Sequence, residues 1–496
     1  MTEQARRPNV LVIMSDEQSW DTLGCTGNPA ARTPELDRLA DRGRRYDRTY
    51  TPFPLCCPSR TSLMTGLMPR HHHVLGNWRG IRPDLAGSGL GNRFADAGYH
   101  TFYVGKWHIP GTDPSRMGFA AQAAIPAVLD GKDRGRYIQD YRDYATAAGY
   151  DLAAGNIENV TAADLASLQD PATPHRATAS IPREDYLEPW QTRQFARVLA
   201  EAPDDRPWFG YCSFNAPHFP MLVPEPYSTL IDRSRIELPA SWHAGFDRLP
   251  EEVRTSRFAQ DFTDLDEAGW RDTIGHYYGM VSMIDDQVGA IVDLLRARGE
   301  VDRTMIVFTS DHGDMMGAHR LMEKGHFLHY EESVRVPLII AHPDGLSGVD
   351  DQLHSMVDVP ATVLELAGLP APADIDGTSF ADAPAGRTHV ITETILWNRD
   401  SENAHGEHRD PADFRLGPDT INLSVRDRHY RYIFRSDDGD ELYDQIADPG
   451  EIDNLAAGCP DLVADYRKLL ADETGDVFDE VADLLLSPPP TACSSA

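Results

Sequence analysis

The sequence predicts an α/β fold: a large, mixed, mostly parallel sheet sandwiched by helices, followed by a smaller C-terminal α+β domain. Three observations predict it. Short apolar runs bounded by turn residues recur along the chain and read as buried parallel strands. Amphipathic stretches with helix start and stop signals lie between them, and such alternation covers a sheet on both faces. Beyond a Pro- and Ala-rich passage at 371–384 the pattern changes to exposed antiparallel strands and one helix.

In chain order, Asn9 to Met14 is the first apolar run. A helix over Pro34 to Arg45 follows a Thr33 cap, with proline in its first turn. Gly91 to Ala97 reads as a helix stopped by Gly98, and Thr101 to Val104 as the second strand. The stretch from Gly111 to Leu187 is less periodic and rich in Ala, Asp and Gly, as expected for insertions that could rim an active site. Trp208 to Phe214 is the third strand, and Pro224 to Asp266 a second insertion. A long helix over Ile274 to Arg298 ends at Gly299. Thr304 to Thr309 and Val336 to Ala341 complete the predicted strands. The passage at 371–384 sets the boundary between a larger domain, 1–375, and a C-terminal domain, 376–496. In the latter, His389 to Leu396 and Ile421 to Arg435 read as exposed antiparallel strands, Leu462 to Asp472 as a helix, and Ser487 to Ala496 as a loose tail.

Composition excludes several functions. With 41% hydrophobic residues the 496-residue chain is not globally disordered. A formal net charge of −32 repels nucleic acid and anionic lipid, so neither is an expected partner. The excess charge reads as an adaptation to solubility or salt. The N-terminal segment has no apolar signal core, and no apolar run is long enough for a bilayer, so a cytoplasmic, soluble protein is expected. Homo-oligomerisation is compatible with this composition. The six cysteines are scattered and are expected as thiols. There are only four lysines, Lys106, Lys132, Lys324 and Lys468. Lysine is a compact charge with a tunable pKa, so positions that keep it against arginine are candidates for function.

Four predicted strands run straight into residues suited to ionic chemistry: Asp16-Glu17, Gly105-Lys106-Trp107-His108, Asn215-Ala216-Pro217-His218 and Asp311-His312-Gly313. Ligands of open parallel sheets bind outside the carboxyl ends of the strands, so these groups should share one rim. Asp16, Glu17, Asp311 and His312 offer three carboxylates and an imidazole, a donor set for a divalent cation. A strand-end aspartate alone is more often a cap or turn residue. Lys106 and His108 are two apart on an extended segment and can point the same way. His71-His72-His73 alternate faces and are read as structural. The run Leu55 to Gly66 places Cys56, Pro58 and Arg60 at the mouth of a short helix, whose positive end favours an anion. Cys56 by itself fits a buried small hydrophobe or a thiolate nucleophile.

Cys56-Cys57-Pro58-Ser59-Arg60 followed by Thr65-Gly66 resembles the signature of the type I sulfatases of the alkaline phosphatase superfamily. Gly105-Lys106-Trp107-His108 matches a second motif of that family, and the run from Glu441 to Leu455 is similar to the end region of bacterial members. The resemblance implies an alkaline phosphatase-like sheet and hydrolysis of sulfate monoesters. It implies that Cys56 is oxidised to Cα-formylglycine by a formylglycine-generating enzyme, and that the hydrated aldehyde is the nucleophile. It implies one divalent cation on Asp16, Glu17, Asp311, His312 and residue 56. The oxygen donors make Ca2+ the expected ion, and His312 with the added charge of Glu17, which stands where glutamine is common, makes Mn2+ the alternative. By the same resemblance, Arg60 bonds the hydrate, Lys106 and Lys324 contact sulfate oxygens, His108 assists sulfate release, and His218 faces the leaving-group oxygen. Asn77 is a further substrate contact. The substrate is a small anionic sulfate ester. Trp78, Trp107 and Tyr103 suit either stacking on a leaving group or core packing. Three rivals are a phosphonate monoester or phosphodiester hydrolase using the same site, a phosphatase or phosphomutase, which would normally carry Ser or Thr as nucleophile, and a non-catalytic anion-binding protein in which Cys56 stays a thiol.

Overall fold

The computed structural model describes residues 7–475 except 78–79, 126–137, 154–158, 171–172, 174, 246, 257–261, 263, 382–385, 397–419 and 437–438. Trp78, Lys132, Cys493 and the tail from Ser487 lie outside the described residues. The central sheet is built from β1 (Asn9–Ser15), β2 (Arg44–Tyr50), β3 (His100–Gly105), β4 (Ala121–Ala123), β6 (Trp208–Ser213), β8 (Thr304–Ser310), β9 (Arg335–Val336), β10 (Leu338–Ala341) and β11 (Gly348–Ser355). A separate two-stranded sheet pairs β5 (Arg176–Thr178) with β7 (Met221–Val223). The central order is β11-β2-β10-β8-β1-β6-β3-β4, with β9 on β2. The run β8-β1-β6-β3 is parallel, and these are the four strands with chemistry at their ends. Their register is level: Ser15 pairs with Ser310, Met14 with Ser213, and Ser213 with Gly105.

Strand alternation explains the two-sided burial. Leu11 and Ile13 of β1 face one core with Ile284, Val288 and Ile291 of the helix Glu267–Ala297. Val10, Val12 and Met14 face the other, with Leu63 and Met64 of the helix Cys56–Thr65 and Val363 of the helix Asp358–Leu366. Among the described residues no helix is long and apolar enough to cross a membrane.

The structure corrects several expected elements. The helix expected over Pro34 to Arg45 stops at Arg42, because Gly43 meets the neighbouring strand so closely that a Cβ would sit 2.4 Å from the Ile340 carbonyl oxygen. From Arg44 the chain is β2, whose charged residues hid a strand from the hydrophobic pattern. The run Val336 to Ala341 divides at Pro337, which lacks a ladder donor, and its β10 half is antiparallel to β8. The long helix starts earlier than expected, at Glu267, where the Asp266 side chain accepts the Gly269 N–H at 2.8 Å.

The C-terminal sheet is antiparallel, in the order β12 (His389–Leu396), β13 (Thr420–Asp427), β14 (Tyr430–Arg435), β15 (Glu441–Asp444). Ile421 to Arg435 is thus a hairpin, and it is mostly buried rather than exposed. Apolar side chains on one face pack under the helix Pro460–Thr474, and the other face meets the larger domain through buried ion pairs. Arg426 and Arg431 both reach Glu331, and Arg431 also holds Glu451 at 2.6 Å.

Candidate active site

The four level strand ends build one pocket. Asp16, Glu17, Asp311 and His312 are fully buried where β1 and β8 end. The Asp311 carboxylate crosses between these strands. Its Oδ1 accepts the N–H of Glu17 (2.9 Å) and of His312 (3.0 Å). His312 donates from Nδ1 to the Gly313 carbonyl at 2.9 Å, which leaves Nε2 as the lone-pair nitrogen, 3.3 Å from Cys56 Sγ. Gly313 has no room for a side chain, since a Cβ would lie 1.9 Å from the Glu332 carbonyl oxygen.

The helix Cys56–Thr65 enters from the other side with every residue buried and ends at Gly66 in the left-handed conformation. Ser59 Oγ donates to the Asp311 carbonyl and accepts from Thr51 Oγ1 at 2.9 Å, tying the helix to β8. Arg60 runs under the site. Its Nε donates to Asp311 Oδ2 (2.8 Å) and its Nη1 to Ser213 Oγ (2.7 Å). Its Nη2 lies 3.2 Å from Asp16 Oδ1, yet neither atom completes an aligned hydrogen bond. Asn77 Oδ1 accepts the Cys57 N–H at 3.0 Å, one of the first-turn donors that the helix's own ladder leaves over.

Two lysines complete the pocket. Lys106 Nζ is bonded to Asp16 Oδ2 and lies 4.0 Å from Cys56 Sγ. Lys324 Nζ donates to Glu17 Oε2 and is 3.1 Å from His218 Nε2. The other nitrogen of His218 faces the Phe219 carbonyl oxygen at 2.6 Å. His108 stands two residues beyond Lys106, half-buried, with a left-handed backbone (φ 51°).

Burial opposes charge throughout; pairing outweighs it at Asp16, Lys106 and Lys324, whereas burial keeps the Glu17 carboxyl well above the carboxylate range despite Lys324. Burial raises Asp16, but Lys106 and Arg60 hold it well below the carboxylate range. Burial pulls Lys106 and Lys324 down, but Asp16 and Glu17 respectively hold them above the usual lysine value. Burial pushes the Cys56 thiol up to about 11, against Lys106, so at neutral pH the cysteine is a thiol and a poor nucleophile.

Asp16, Cys56, Asp311 and His312 each offer a ligand atom, all within 4.8 Å of one another. Asp16 Oδ1 and Glu17 Oε1 are buried acceptors without a hydrogen-bond partner. Oxygen donors with one imidazole and open acceptors fit a hard divalent cation. Glu17 stands beside this group with its other oxygen on Lys324, and lies outside the cluster of four.

Sequence reasoning missed the hydroxyls that orient these groups. β1, β6 and β8 each end in serine, and Ser213 and Ser310 bond Arg60 and the Gln18 N–H respectively. A serine before the ionic residues of each strand was the available signal. Tyr277 was also missed; it donates to the Glu17 carbonyl at 2.6 Å from the long helix. Tyr103 and Trp107 are core residues, Tyr103 stacked on Tyr211 at 4.9 Å and Trp107 2% exposed.

Paired charge of this kind gathers at the carboxyl edge of the parallel sheet, where such sheets bind their ligands. The family model for sulfatases matches residues 8–369, and that for the C-terminal region of N-sulphoglucosamine sulphohydrolase matches residues 317–472. The sulfatase YidJ of Escherichia coli (strain K12) is 28% identical, covering 96% of this chain and 88% of its own. An arylsulfatase of Clostridium perfringens is 27% identical over 90% of each chain. The crystal structure of the phosphonate monoester hydrolase of Agrobacterium radiobacter shares the fold, with a TM-score of 0.75, 24% identity and 96% of each chain covered. The chain belongs to the sulfatase family of the alkaline phosphatase superfamily, and is a sulfuric ester hydrolase.

Proposed function

We propose that the protein hydrolyses small sulfate monoesters, with the side chain at position 56 oxidised to formylglycine by a dedicated maturation enzyme. The observation that carries this reading is the setting of Cys56: 0% exposed, at a helix mouth, beside His312 and Lys106, with a thiol too weakly acidic to attack as it stands. Asp16, Asp311, His312 and residue 56 would hold a divalent cation, Ca2+ by the hardness of the donors, with Glu17 as an additional oxygen. Bound there, the cation would supply Lewis-acid charge and the hydrated aldehyde a nucleophilic hydroxyl.

The chain's own residues do the rest. Lys106, just past β3, and Lys324, in the loop before the short helix Glu331–Val334, flank position 56 and are charged, so they neutralise the oxygens of the transferring group. Arg60 fixes Asp16 and Asp311 from beneath. His218 Nε2, next to Lys324, is placed to hand a proton to the departing alcohol oxygen. His108 is assigned to proton removal in the product-releasing half-reaction.

The test is the mass of the peptide spanning Cys56 together with turnover of an aryl sulfate and an aryl phosphonate monoester. Turnover should scale with the aldehyde fraction and favour the sulfate. Full activity from protein whose Cys56 is an intact thiol would overturn the reading, and preference for the phosphonate would move the substrate to the rival class.

A further inference from the structure

The C-terminal sheet reaches both loops that place the reactive groups, and it does so from one strand face. Thr392 and Thr394 alternate with Glu393 on β12, so their side chains share a face about 7 Å apart. Both threonines are buried, 2% and 1% exposed. Thr392 Oγ1 donates to the Thr51 carbonyl at 2.8 Å, and the Glu393 N–H donates to the Pro52 carbonyl at 2.8 Å. This loop leads into the helix that begins at Cys56. Thr51 also passes its own hydroxyl bond to Ser59, and Ser59 to Asp311. Two residues along β12, Thr394 Oγ1 donates to the His326 carbonyl at 2.6 Å, directly after Lys324-Gly325.

The second contact is reinforced. Asn422 Nδ2 lies 3.3 Å from the same His326 carbonyl, and Arg435 Nη2 donates to the Phe327 carbonyl at 3.0 Å. His329 bridges Ser424 Oγ (3.0 Å) and Thr394 Oγ1 (2.9 Å); burial and the nearby arginines keep it neutral, so one ring nitrogen donates and the other accepts. The two loops meet each other where Phe53 and His326 pack edge to face at 5.3 Å.

We propose that β12 is a brace that sets the separation between residue 56 and Lys324, with Thr392 and Thr394 as positioning residues. The proposal rests on the sulfatase reading for the roles of those two groups. It makes the C-terminal domain part of the catalytic apparatus rather than an appendage. Without the Thr394 hydroxyl the His326 carbonyl keeps only the longer Asn422 contact and can shift by fractions of an ångström, and misplacement on that scale is expensive for a charge aimed at a transition state.

The experiment is a double-mutant cycle on matured enzyme. Thr394→Val keeps the shape and deletes the donor; Thr394→Ser keeps the donor. kcat/KM for p-nitrophenyl sulfate is measured per aldehyde-containing, folded site, alone and in a Lys324→Ala background. Thr394→Val should lose about tenfold or more, Thr394→Ser should restore most of it, and the valine should cost nothing further once Lys324 is gone. Thr392→Val should show a loss and a serine rescue of the same kind. If the valine loss persists undiminished in Lys324→Ala, or vanishes when rates are referred to folded protein, the brace is refuted. If Lys324→Ala itself keeps full activity, the failure lies instead with the site assignment.

Discussion

Replacing Arg60 by glutamine tests the electrostatic frame of the site. Arg60 is buried and holds Asp311 Oδ2 at 2.8 Å and Asp16 Oδ1 at 3.2 Å. At an effective dielectric constant of about 20, each such pair carries roughly 5 kcal/mol of Coulomb energy, most of which repays desolvation. Removing one partner of a buried pair typically costs about 3–5 kcal/mol. Glutamine can still donate to Asp311, and Lys106 still compensates Asp16, so the expected loss is about 3 kcal/mol at neutral pH without added metal. The sign with pH follows from Asp16. Its folded pKa lies below the unfolded value of 3.8, so its contribution is present above that value and is lost as pH falls through the folded pKa. Without Arg60 the folded pKa rises, and the acid loss starts at higher pH. Ca2+ should restore the variant more than the wild type, because the two carboxylates then have a cation to hold and no guanidinium competing with it. Urea unfolding followed by tryptophan fluorescence, in chelator and in Ca2+, measures all three effects. A variant as stable as the wild type in chelator, or one that gains no more from Ca2+ than the wild type, would refute the reasoning.

Three further outcomes are expected. Cys56→Ser should release at most one equivalent of p-nitrophenol and remain as a sulfated protein, visible by intact mass, since a serine ester cannot collapse to an aldehyde; steady turnover would contradict it. Glu188, buried beneath the Asn215–His218 loop with its Oε1 on the Ala216 N–H at 3.0 Å, is pushed by burial up to about 7. A raised carboxyl contributes fully below its unfolded value and progressively less as pH rises through 7, so Glu188→Gln should gain stability on the wild type between pH 5 and 8, by about 3 kcal/mol at most. Arg431→Met strips Glu451 of its arginine and leaves Glu331 to Arg426 and Arg335, and should cost about 3 kcal/mol in denaturant unfolding; a neutral result would mean that the interface does not depend on that network.

What the sequence made legible follows from where its signals were local. The parallel strands β1, β3, β6 and β8 are apolar on both faces, so hydrophobic runs exposed them, and their ionic ends converge as the sheet rule requires. β2 and β11 escaped because their outer positions carry Arg, Asp and Gln, and only pairing with β10 and with each other makes them strands. Asn77 was readable as a polar residue near the motif, but its helix-mouth bond depends on the fold of the intervening turn. The β12 threonines carry no sequence signal at all. Their partners, Thr51 and His326, lie 341 and 68 residues away, and a threonine in a β-strand is statistically ordinary.

The charge pattern of the site ties these parts together. Three carboxylates, Asp16, Glu17 and Asp311, meet three cationic side chains, Arg60, Lys106 and Lys324, and each cation is engaged by a carboxylate. Glu323 adds acid 3.8 Å from Lys324. Each of these cations is thus already engaged by an acid of the site, and the surface of a chain with net charge −32 supplies no positive surplus. An anionic ester needs one, and a divalent cation on Asp16 and Asp311 would create it while releasing Lys106 from Asp16 toward the ester oxygens. This also accounts for lysine at 106 and 324 in an arginine-rich chain. A flexible point charge can move from a carboxylate to a substrate oxygen over a short distance, whereas a guanidinium bonded in a fixed fork, as Arg60 is, serves better as the immobile floor.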